Sequence, residues 1–210
     1  MEAPMPSPDH PAPPGSPLAL AAAEALECRR CPLWQHATGT VFGEGPADAR
    51  IMLVGEQPGD QEDRAGRPFV GPAGQLLDRA LAEAGLDRRE LYVTNAVKHF
   101  KFVTRGRRRI HARPDSAEIA ACRFWLNIER NEVNPALTVL MGASAARAVL
   151  GRTITIARER GRAIKLSEAI IFVTVHPSYL LRIPDAAAKQ NEYNMFIADL
   201  RRVAELSLPR

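Results

Sequence analysis

Short apolar runs and helix-like patterns alternate along most of the chain. Four runs of mainly aliphatic residues have the length of buried strands, and they span residues 50–55, 91–97, 137–141 and 170–175. Five segments have the spacing or the composition typical of helices, at residues 19–30, 72–85, 115–131, 143–150 and 185–206. Because strands that alternate with helices tend to pair in parallel, the pattern predicts an α/β fold, a parallel sheet with helices on both faces.

The N-terminal segment does not follow this pattern. Seven prolines fall within the first 17 residues. A segment of that composition buries too little apolar surface to offset the entropy of ordering it, so we predict a disordered tail over residues 1–17. The remaining residues, 18–210, have the length of one domain and contain no internal repeat.

Composition narrows the class of protein further. No apolar run reaches the roughly 20 residues of a membrane-spanning helix, and the N-terminus lacks the basic and apolar pattern of a signal peptide. The chain has three cysteines, an odd number that does not suit a disulfide framework. We therefore expect no membrane contact and a reducing, cytoplasmic location.

Polar residues follow the first predicted strand at the turn Gly55–Asp60. Two glycines and a proline make a tight turn that lets a ligand approach the backbone, and Glu56, Gln57 and Asp60 would then face the crevice beyond the strand ends. The segment has neither the lysine of a phosphate-binding loop nor the GxGxxG pattern of a dinucleotide site. A plain turn without a ligand is the alternative interpretation.

Two later strands also end in candidate binding residues. Asn95 lies at the end region of the second strand, and its amide could hydrogen-bond to the edge of a nucleobase, although asparagine is also common in turns. His176 and Ser178 follow the last strand, where an imidazole could donate into the crevice and a hydroxyl could bind a phosphate oxygen. Residues 179–182 place apolar side chains beside an arginine, as a wedge into a base stack requires, but the leucines could equally begin a packed helix.

Basic charge is concentrated between the second strand and the 115–131 helix. Nine positions hold five arginines around His111, namely Arg105, Arg107, Arg108, Arg109 and Arg113. These five exceed the formal net charge of the whole chain, which is +4. Such a concentration is typical of phosphate binding, and a connection much longer than the usual 2–6 residues favours a function. A solvated basic loop is the alternative.

The cysteines suggest a metal or redox site. Cys28 and Cys31 form a Cys-x-x-Cys pair at the end of a predicted helix, and Cys122 lies far downstream. A redox pair, a zinc site and an iron–sulfur site remain open, as do three unrelated buried thiols. A four-ligand site needs one more donor, for which His99, just past the second strand, is the best candidate.

Taken together, these motifs resemble the uracil-DNA glycosylase superfamily, and within it the UdgX group of the iron–sulfur branch, family 4. The resemblance covers about residues 24–205 and rests on the Cys-x-x-Cys pair, GEQPG at 55–59, RPFVGPAGQLLD at 67–78, TNAVKH at 94–99, RRRIH at 107–111 and HPS at 176–178. Ordinary family-4 enzymes have a GEAPG-like motif, a fourth cysteine and no Arg-rich insertion. Gln57, His99 and His111 are the departures that favour UdgX.

The resemblance implies a three-layer α/β/α fold with a central, mainly parallel four-stranded sheet. It also implies excision of uracil from DNA, with the base flipped out of its strand. Gly55 and Asp60 would help to form the uracil pocket. Phe69 would stack on uracil, Asn95 would bind its O4 and N3–H edge, and His176 would stabilise charge on O2 as the base leaves.

In UdgX the histidine of the Arg-rich loop, here His111, attacks the sugar C1′ in place of water and leaves the protein covalently bound to DNA. Glu56 would hold the imidazole and stabilise its cation, and Gln57 would lie near the sugar. Arg105, Arg107, Arg108, Arg109 and Ser178 would contact DNA phosphates. A structural [4Fe-4S] cluster would be held by Cys28, Cys31, His99 and Cys122.

Two other functions remain open. One is a family-4-type glycosylase that turns over with water as nucleophile, and the other is a non-catalytic module that binds single-stranded DNA. The low aromatic content, 6%, disfavours the second, since such modules stack several bases on aromatic side chains. The expected partner is uracil-containing DNA, preferably single-stranded, bound by a monomer.

Overall fold

A computed structural model describes residues 14–166 and 169–208 of the chain. Seven strands lie in this part of the chain: β1 Ile51–Gly55, β2 Leu91–Asn95, β3 Phe102–Arg105, β4 Arg108–His111, β5 Leu137–Met141, β6 Ala163–Leu166 and β7 Ala169–Thr174. The helices are α1 Pro17–Ala25, α2 Asp60–Ala65, α3 Pro72–Glu83, α4 Ser116–Val133, α5 Ala143–Leu150, α6 Ile156–Glu159, α7 Pro177–Leu181 and α8 Ala186–Ser207. Two short 3₁₀ turns, Pro32–Gln35 and Arg88–Glu90, complete the elements.

The central sheet has the strand order β2-β1-β5-β7-β6. Its first four strands are parallel, and β6 adds an antiparallel edge next to β7. The predicted three-layer α/β/α fold is confirmed, with five strands in the sheet instead of the expected four. The fifth strand arises because only two residues connect β6 to β7, and a link this short can only join antiparallel strands.

Helices cover both faces of the sheet, which explains why the parallel strands are apolar throughout. In β1, Met52 and Val54 pack in the same core as α1, α4 and α5, whereas Ile51 and Leu53 pack in the core of α3, α7 and α8. All four side chains are buried. Successive residues of a strand point to opposite faces, so each strand contributes to both cores.

The helix boundaries follow local capping chemistry. Asp115 caps α4 and forms a capping box with Glu118, as this spacing predicts. Ser16 caps α1, which begins at Pro17, the last residue assigned to the predicted tail. Residues 1–13 of that tail lie outside the described residues. No helix in the described part of the chain is long and apolar enough to cross a bilayer.

The Arg-rich segment is a β-hairpin and not the irregular loop that the sequence suggested. Strands β3 and β4 pair antiparallel, with Phe102 opposite His111 and Arg105 opposite Arg108. The two residues between the strands include Gly106, whose φ of 59° suits a tight hairpin turn. The hairpin therefore presents alternate side chains on two faces, and His111 lies at its end.

Candidate functional site

The carboxyl ends of the parallel strands line a cavity of about 760 Å³. Eight of the residues proposed from sequence contribute to its wall: Glu56, Gln57, Asp60, Phe69, Asn95, His111, His176 and Ser178. The register of β1 and β2 places Gly55 beside Asn95, and His176 follows β7. The structure therefore brings together side chains that lie up to 120 positions apart in the sequence, from Glu56 to His176.

The floor of the cavity depends on a glycine. A Cβ on Gly55 would collide with Asn95 Oδ1 and would lie 2.5 Å from Phe69 Cζ. Phe69 itself has a φ of 56°, a left-handed conformation that is uncommon for an aromatic residue and occurs at functional sites. Its buried ring therefore packs directly over the Gly55 backbone.

Asn95 has an unused polar atom in this cavity. Its side chain is buried, yet Oδ1 has no hydrogen-bond partner among the described residues. Buried amide oxygens are almost always paired, because an unpaired one loses its hydration without compensation. Asn95 is therefore arranged to bind a ligand that supplies a donor.

His176 is a neutral hydrogen-bond donor. The Ser178 backbone N–H donates to Nδ1 over 3.2 Å, so the proton of the neutral ring lies on Nε2. Burial, opposed by the charge of Glu56, lowers the pKa of His176 to about 4. Nε2 is buried and has no hydrogen-bond partner among the residues that the structure describes, and the ring centroid lies 5.8 Å from that of Phe69. An acceptor in the cavity would complete this donor.

His111 contacts a carboxylate at the end of the hairpin. Its Nε2 lies 3.4 Å from Glu56 Oε1, and its side chain is 47% exposed. Partial burial lowers the pKa of His111 below 6.5, although the charge of Glu56 acts in the opposite direction. The imidazole is therefore unprotonated at neutral pH, the state that a nucleophile requires.

Ser144 is a site residue that sequence analysis missed. Its buried hydroxyl donates a short hydrogen bond to Glu56 Oε2, and Arg113 Nε lies 3.5 Å from the same oxygen. Ser144 belongs to the first turn of α5, directly after β5. Its position just past the end of β5 could have indicated it, because Glu56, Asn95 and His176 were proposed from the same kind of position.

Gln57 holds the base of the hairpin. Its Nε2 donates to the carbonyls of Lys101 and Ala112, and its Oε1 accepts from the Lys101 N–H, at 3.0–3.1 Å. Lys101 precedes β3 and Ala112 follows β4. The amide expected near the sugar thus connects the first strand to both ends of the hairpin that carries His111.

Arg109 faces the protein and is paired there. Its guanidinium binds Asp60 and Asp63 at 2.5 and 2.6 Å and lies over the Phe100 and Phe102 rings. This differs from the expected phosphate contact, because the pleat of β4 turns Arg109 away from its neighbour Arg108. Asp60 lines the cavity, but its carboxylate binds Arg64 and Arg109.

The remaining arginines of the hairpin have no acidic partner. Arg105, Arg107 and Arg108 are exposed, and within the described ranges none of them forms an ion pair. Ser178, the other predicted phosphate contact, lies on the cavity wall with its Oγ 2.8 Å from His176 Nδ1 and 3.2 Å from Arg182. The exposed positive charge of the hairpin therefore lies at its turn, at the opposite end of β4 from His111.

Comparison with known proteins decides the family. The profile described as "Uracil DNA glycosylase superfamily" matches residues 42–201. The chain belongs to this superfamily. A type-4 uracil-DNA glycosylase of Thermotoga maritima is 40% identical over 158 residues, which cover 74% of this chain and 79% of that protein. One of Sulfurisphaera tokodaii is 34% identical over 194 residues, covering 88% and 82%.

A third relative extends the comparison to another branch of the superfamily. The type-5 uracil-DNA glycosylase of Pyrobaculum aerophilum is 31% identical over 170 residues, covering 72% of this chain and 71% of that protein. The predicted superfamily and the predicted enzyme class, uracil-DNA glycosylase, are confirmed. Type-4 relatives also confirm the resemblance to family 4.

The cysteines of this superfamily member lie in a second region, between α1 and α4. Cys28 and Cys122 are buried and Cys31 is half-buried. Burial raises the pKa of the Cys122 thiol to about 12. Across the described residues, no group of three or more Cys, His, Asp or Glu side chains is arranged to hold a single metal ion.

The donor chemistry of this region nevertheless fits an iron–sulfur cluster. Cys122 Sγ accepts from the Lys98 N–H and Cys28 Sγ accepts from Trp125 Nε1, both at 3.1 Å, and N–H bonds to sulfur tune such clusters. His99 is buried and its Nδ1 has no partner, whereas Nε2 lies 3.1 Å from Thr40 Oγ1. The predicted fourth ligand therefore has a free ring nitrogen.

Proposed function

We propose that the protein excises uracil from DNA and then binds the sugar C1′ covalently through His111, as the UdgX group does. The observation that carries this proposal is the pairing of a neutral His111 with Glu56 on the wall of the cavity that also contains Asn95 and His176. The same cavity would otherwise need a bound water as nucleophile.

Recognition of uracil is assigned to three groups on the cavity wall. Phe69 would stack on the ring, and the Asn95 amide would bind the O4 and N3–H edge through its unpaired oxygen and its NH₂ group. Gly55 lets both side chains pack against its backbone, because a Cβ there would collide with Asn95 Oδ1 and with Phe69 Cζ. Phe69 and Asn95 thus supply the preference for the base.

Release of the base is assigned to His176. The bond between C1′ and N1 breaks with its electron pair on uracil, and negative charge develops on O2. The Nε2–H of His176 is buried and unpaired, so it can donate to that oxygen without first breaking another bond. Because its pKa is about 4, His176 acts as a neutral donor.

Capture of the sugar is assigned to His111. A lone pair of its imidazole forms a bond to the electron-poor C1′, and the resulting imidazolium passes its proton to Glu56 or to water. Glu56 Oε1 stabilises the positive charge from 3.4 Å, and Gln57 fixes the hairpin end that carries the ring. An aligned imidazole competes with water at an effective concentration of about 10⁵ M or more.

The DNA strand and the cluster complete the proposal. Arg105, Arg107 and Arg108 would bind phosphates, and an unpaired strand would be preferred because its base needs no unpairing. A [4Fe-4S] cluster would be held by Cys28, Cys31, His99 and Cys122, where it would join α1 to α4 and to the end of β2. The protein would act as a monomer in the cytoplasm.

A denaturing gel tests this proposal. The protein is incubated with a single-stranded oligonucleotide that contains one uracil and is then heated in SDS. We expect a shifted, SDS-stable band, and one molecule of free uracil for each molecule of protein–DNA adduct in that band. Free uracil with alkali-labile DNA and no shifted band would instead support a glycosylase that turns over, and no free uracil would support a DNA-binding module.

A further inference from the structure

A fully buried ion pair lies directly behind Asn95. Lys98 and Glu129 both have 0% exposed side chains, and their Nζ and Oε2 atoms are 2.5 Å apart. Neither residue lines the cavity. Burying an ion pair costs the hydration of both charges. Two apolar residues of similar volume in its place are often equally or more stabilising, so the pair is weak evidence for a role in stability alone.

The contacts of Lys98 connect the ion pair to the end of β2. Besides Glu129, Nζ donates to Thr94 Oγ1 at 2.6 Å and to the Asn95 carbonyl at 2.8 Å, so all three of its N–H groups are used. Its backbone N–H donates to Cys122 Sγ. Lys98 therefore contacts Cys122 through its backbone and Asn95 through its side chain.

Glu129 holds the same strand end from α4. Its carboxylate accepts from the hydroxyls of Thr94 and Tyr92 and from the Gly43 N–H, at 2.8–3.2 Å. The Thr94 hydroxyl and the Asn95 carbonyl are thus both held by charged side chains. Asn95 Oδ1, by contrast, has no partner, so the direction of the amide depends on its backbone and on packing.

We propose that Lys98 and Glu129 are positioning residues that fix Asn95 in the orientation that reads uracil. This inference rests on the proposed function. Uracil presents O4 and N3–H, whereas cytosine presents an amino group and an unprotonated N3, so a rotated amide would bind cytosine instead. The contacts of Lys98 with the Asn95 carbonyl and the Thr94 hydroxyl fix the main chain from which the amide projects, so that Oδ1 and Nδ2 can meet N3–H and O4 together.

A double-mutant cycle with Asn95→Ala tests the proposal. Both charges are removed together in Lys98→Met/Glu129→Gln, so that no unpaired charge stays buried. The readouts are the single-turnover rate of uracil release at saturating protein, and the affinity for an oligonucleotide with 2′-fluoro-deoxyuridine relative to the same oligonucleotide with deoxycytidine. Melting temperature and iron content are measured alongside.

We expect the double substitution to lower the release rate and the uracil preference about tenfold in the wild-type background, and less than about twofold with Asn95→Ala. Equal losses in both backgrounds, or no loss, would overturn the proposal. A wild-type protein that releases no uracil would instead refute the proposed function, so the two failures are distinguishable.

Two milder variants protect the test against misfolding. Thr94→Val removes the hydroxyl between Lys98 and Glu129 while keeping the shape of the side chain, and we expect the same dependence on Asn95. Tyr92→Phe is the matched control, because its hydroxyl donates to Glu129 without contacting Asn95. If Tyr92→Phe reduced uracil preference as much as Thr94→Val, a general structural role would replace the proposed one.

Discussion

The hydroxyl of Ser144 donates to one oxygen of Glu56 while the other oxygen lies 3.4 Å from His111 Nε2. Ser144 sits in the first turn of α5, where the positive end of the helix dipole favours a nearby carboxylate. Glu56 is therefore held in place by the helix that follows β5. This arrangement resembles the oriented carboxylate of a catalytic triad.

Ser144→Ala should therefore slow covalent capture more than base release. Loss of a hydrogen bond to a charged group frees Glu56 to move away from the imidazole, and we expect capture to slow about tenfold. Release of uracil should change less than about twofold, since no hydrogen bond joins His176 to Ser144 among the described residues. The two rates are measured on one oligonucleotide, from the shifted band and from free uracil.

Ser116→Ala serves as the control for this variant, since Ser116 begins α4 and does not line the cavity. Equal slowing of release and capture by Ser144→Ala would mean that the serine supports the whole pocket and not the Glu56 position.

Capture should also follow the protonation of His111. Because burial lowers its pKa below 6.5, the neutral nucleophile persists at pH values where an ordinary histidine is half protonated. We expect the capture rate to stay constant from pH 8 to 6.5 and to fall in more acidic solution. His176, with a pKa of about 4, stays neutral over this range.

The sign of the Glu56 effect gives a second check. The carboxylate raises the pKa of His111, so Glu56→Gln should move the midpoint of the capture profile to lower pH while lowering its plateau. A midpoint above 6.5 in the wild-type protein, or an upward shift in the variant, would contradict this account.

The hairpin arginines should divide into two groups. Arg108→Ala should weaken DNA binding and reduce the slope of log K against log salt by up to about one unit, with the melting temperature unchanged. Arg109→Ala leaves the buried Asp63 carboxylate without its cation and should cost about 3 kcal/mol of unfolding free energy. Urea unfolding and salt titration measure the two effects, and an Arg109→Ala protein of normal stability with a reduced salt slope would reverse the assignment.

The position of the site could be predicted from the sequence. Gly55 and Asn95 end two runs of buried-strand type, and parallel strands place their carboxyl ends at one edge of a sheet. The pairing of distant side chains within that edge could not be predicted in the same way. Glu56 and Ser144 are 88 positions apart, and no local pattern indicates which polar residue of α5 faces the carboxylate.

The Arg-rich segment was misjudged for a different reason. The prediction of a loop rested on the high charge of the segment. The β-branched residues Val103, Thr104 and Ile110 on either side of Gly106 are nevertheless typical of a hairpin. Once the hairpin forms, Thr104 and Arg109 share one face, and Arg105 and Arg108 share the other. Alternation, and not total charge, decides which arginines remain available for DNA.

The cysteine region should hold iron. We expect purified protein to be brown with about four irons per chain, and Cys122→Ala to lose both colour and iron. His99→Cys should keep them, because thiolate is the commoner ligand, and His36→Ala should have no effect since His36 is exposed. Visible absorbance and metal analysis measure this, and one zinc per chain without colour would refute the assignment.

His111→Ala should separate the two halves of the proposed reaction. His111 is the only Cys, Lys or His between Arg105 and Arg113, so its loss should abolish the SDS-stable band. Uracil should still be released, because the His176 donor is unchanged and departure of the base precedes attack on C1′. The space left by the imidazole admits water, which converts a single-use protein into one that turns over and leaves abasic sites.

The variant is incubated with uracil-containing single-stranded DNA and treated with alkali, with Arg108→Ala as a control that should still form the shifted band. Strand cleavage without a shifted band supports the scheme. A shifted band that persists in His111→Ala would place the covalent link on another residue, and loss of both band and uracil would mean that His111 assists departure of the base itself.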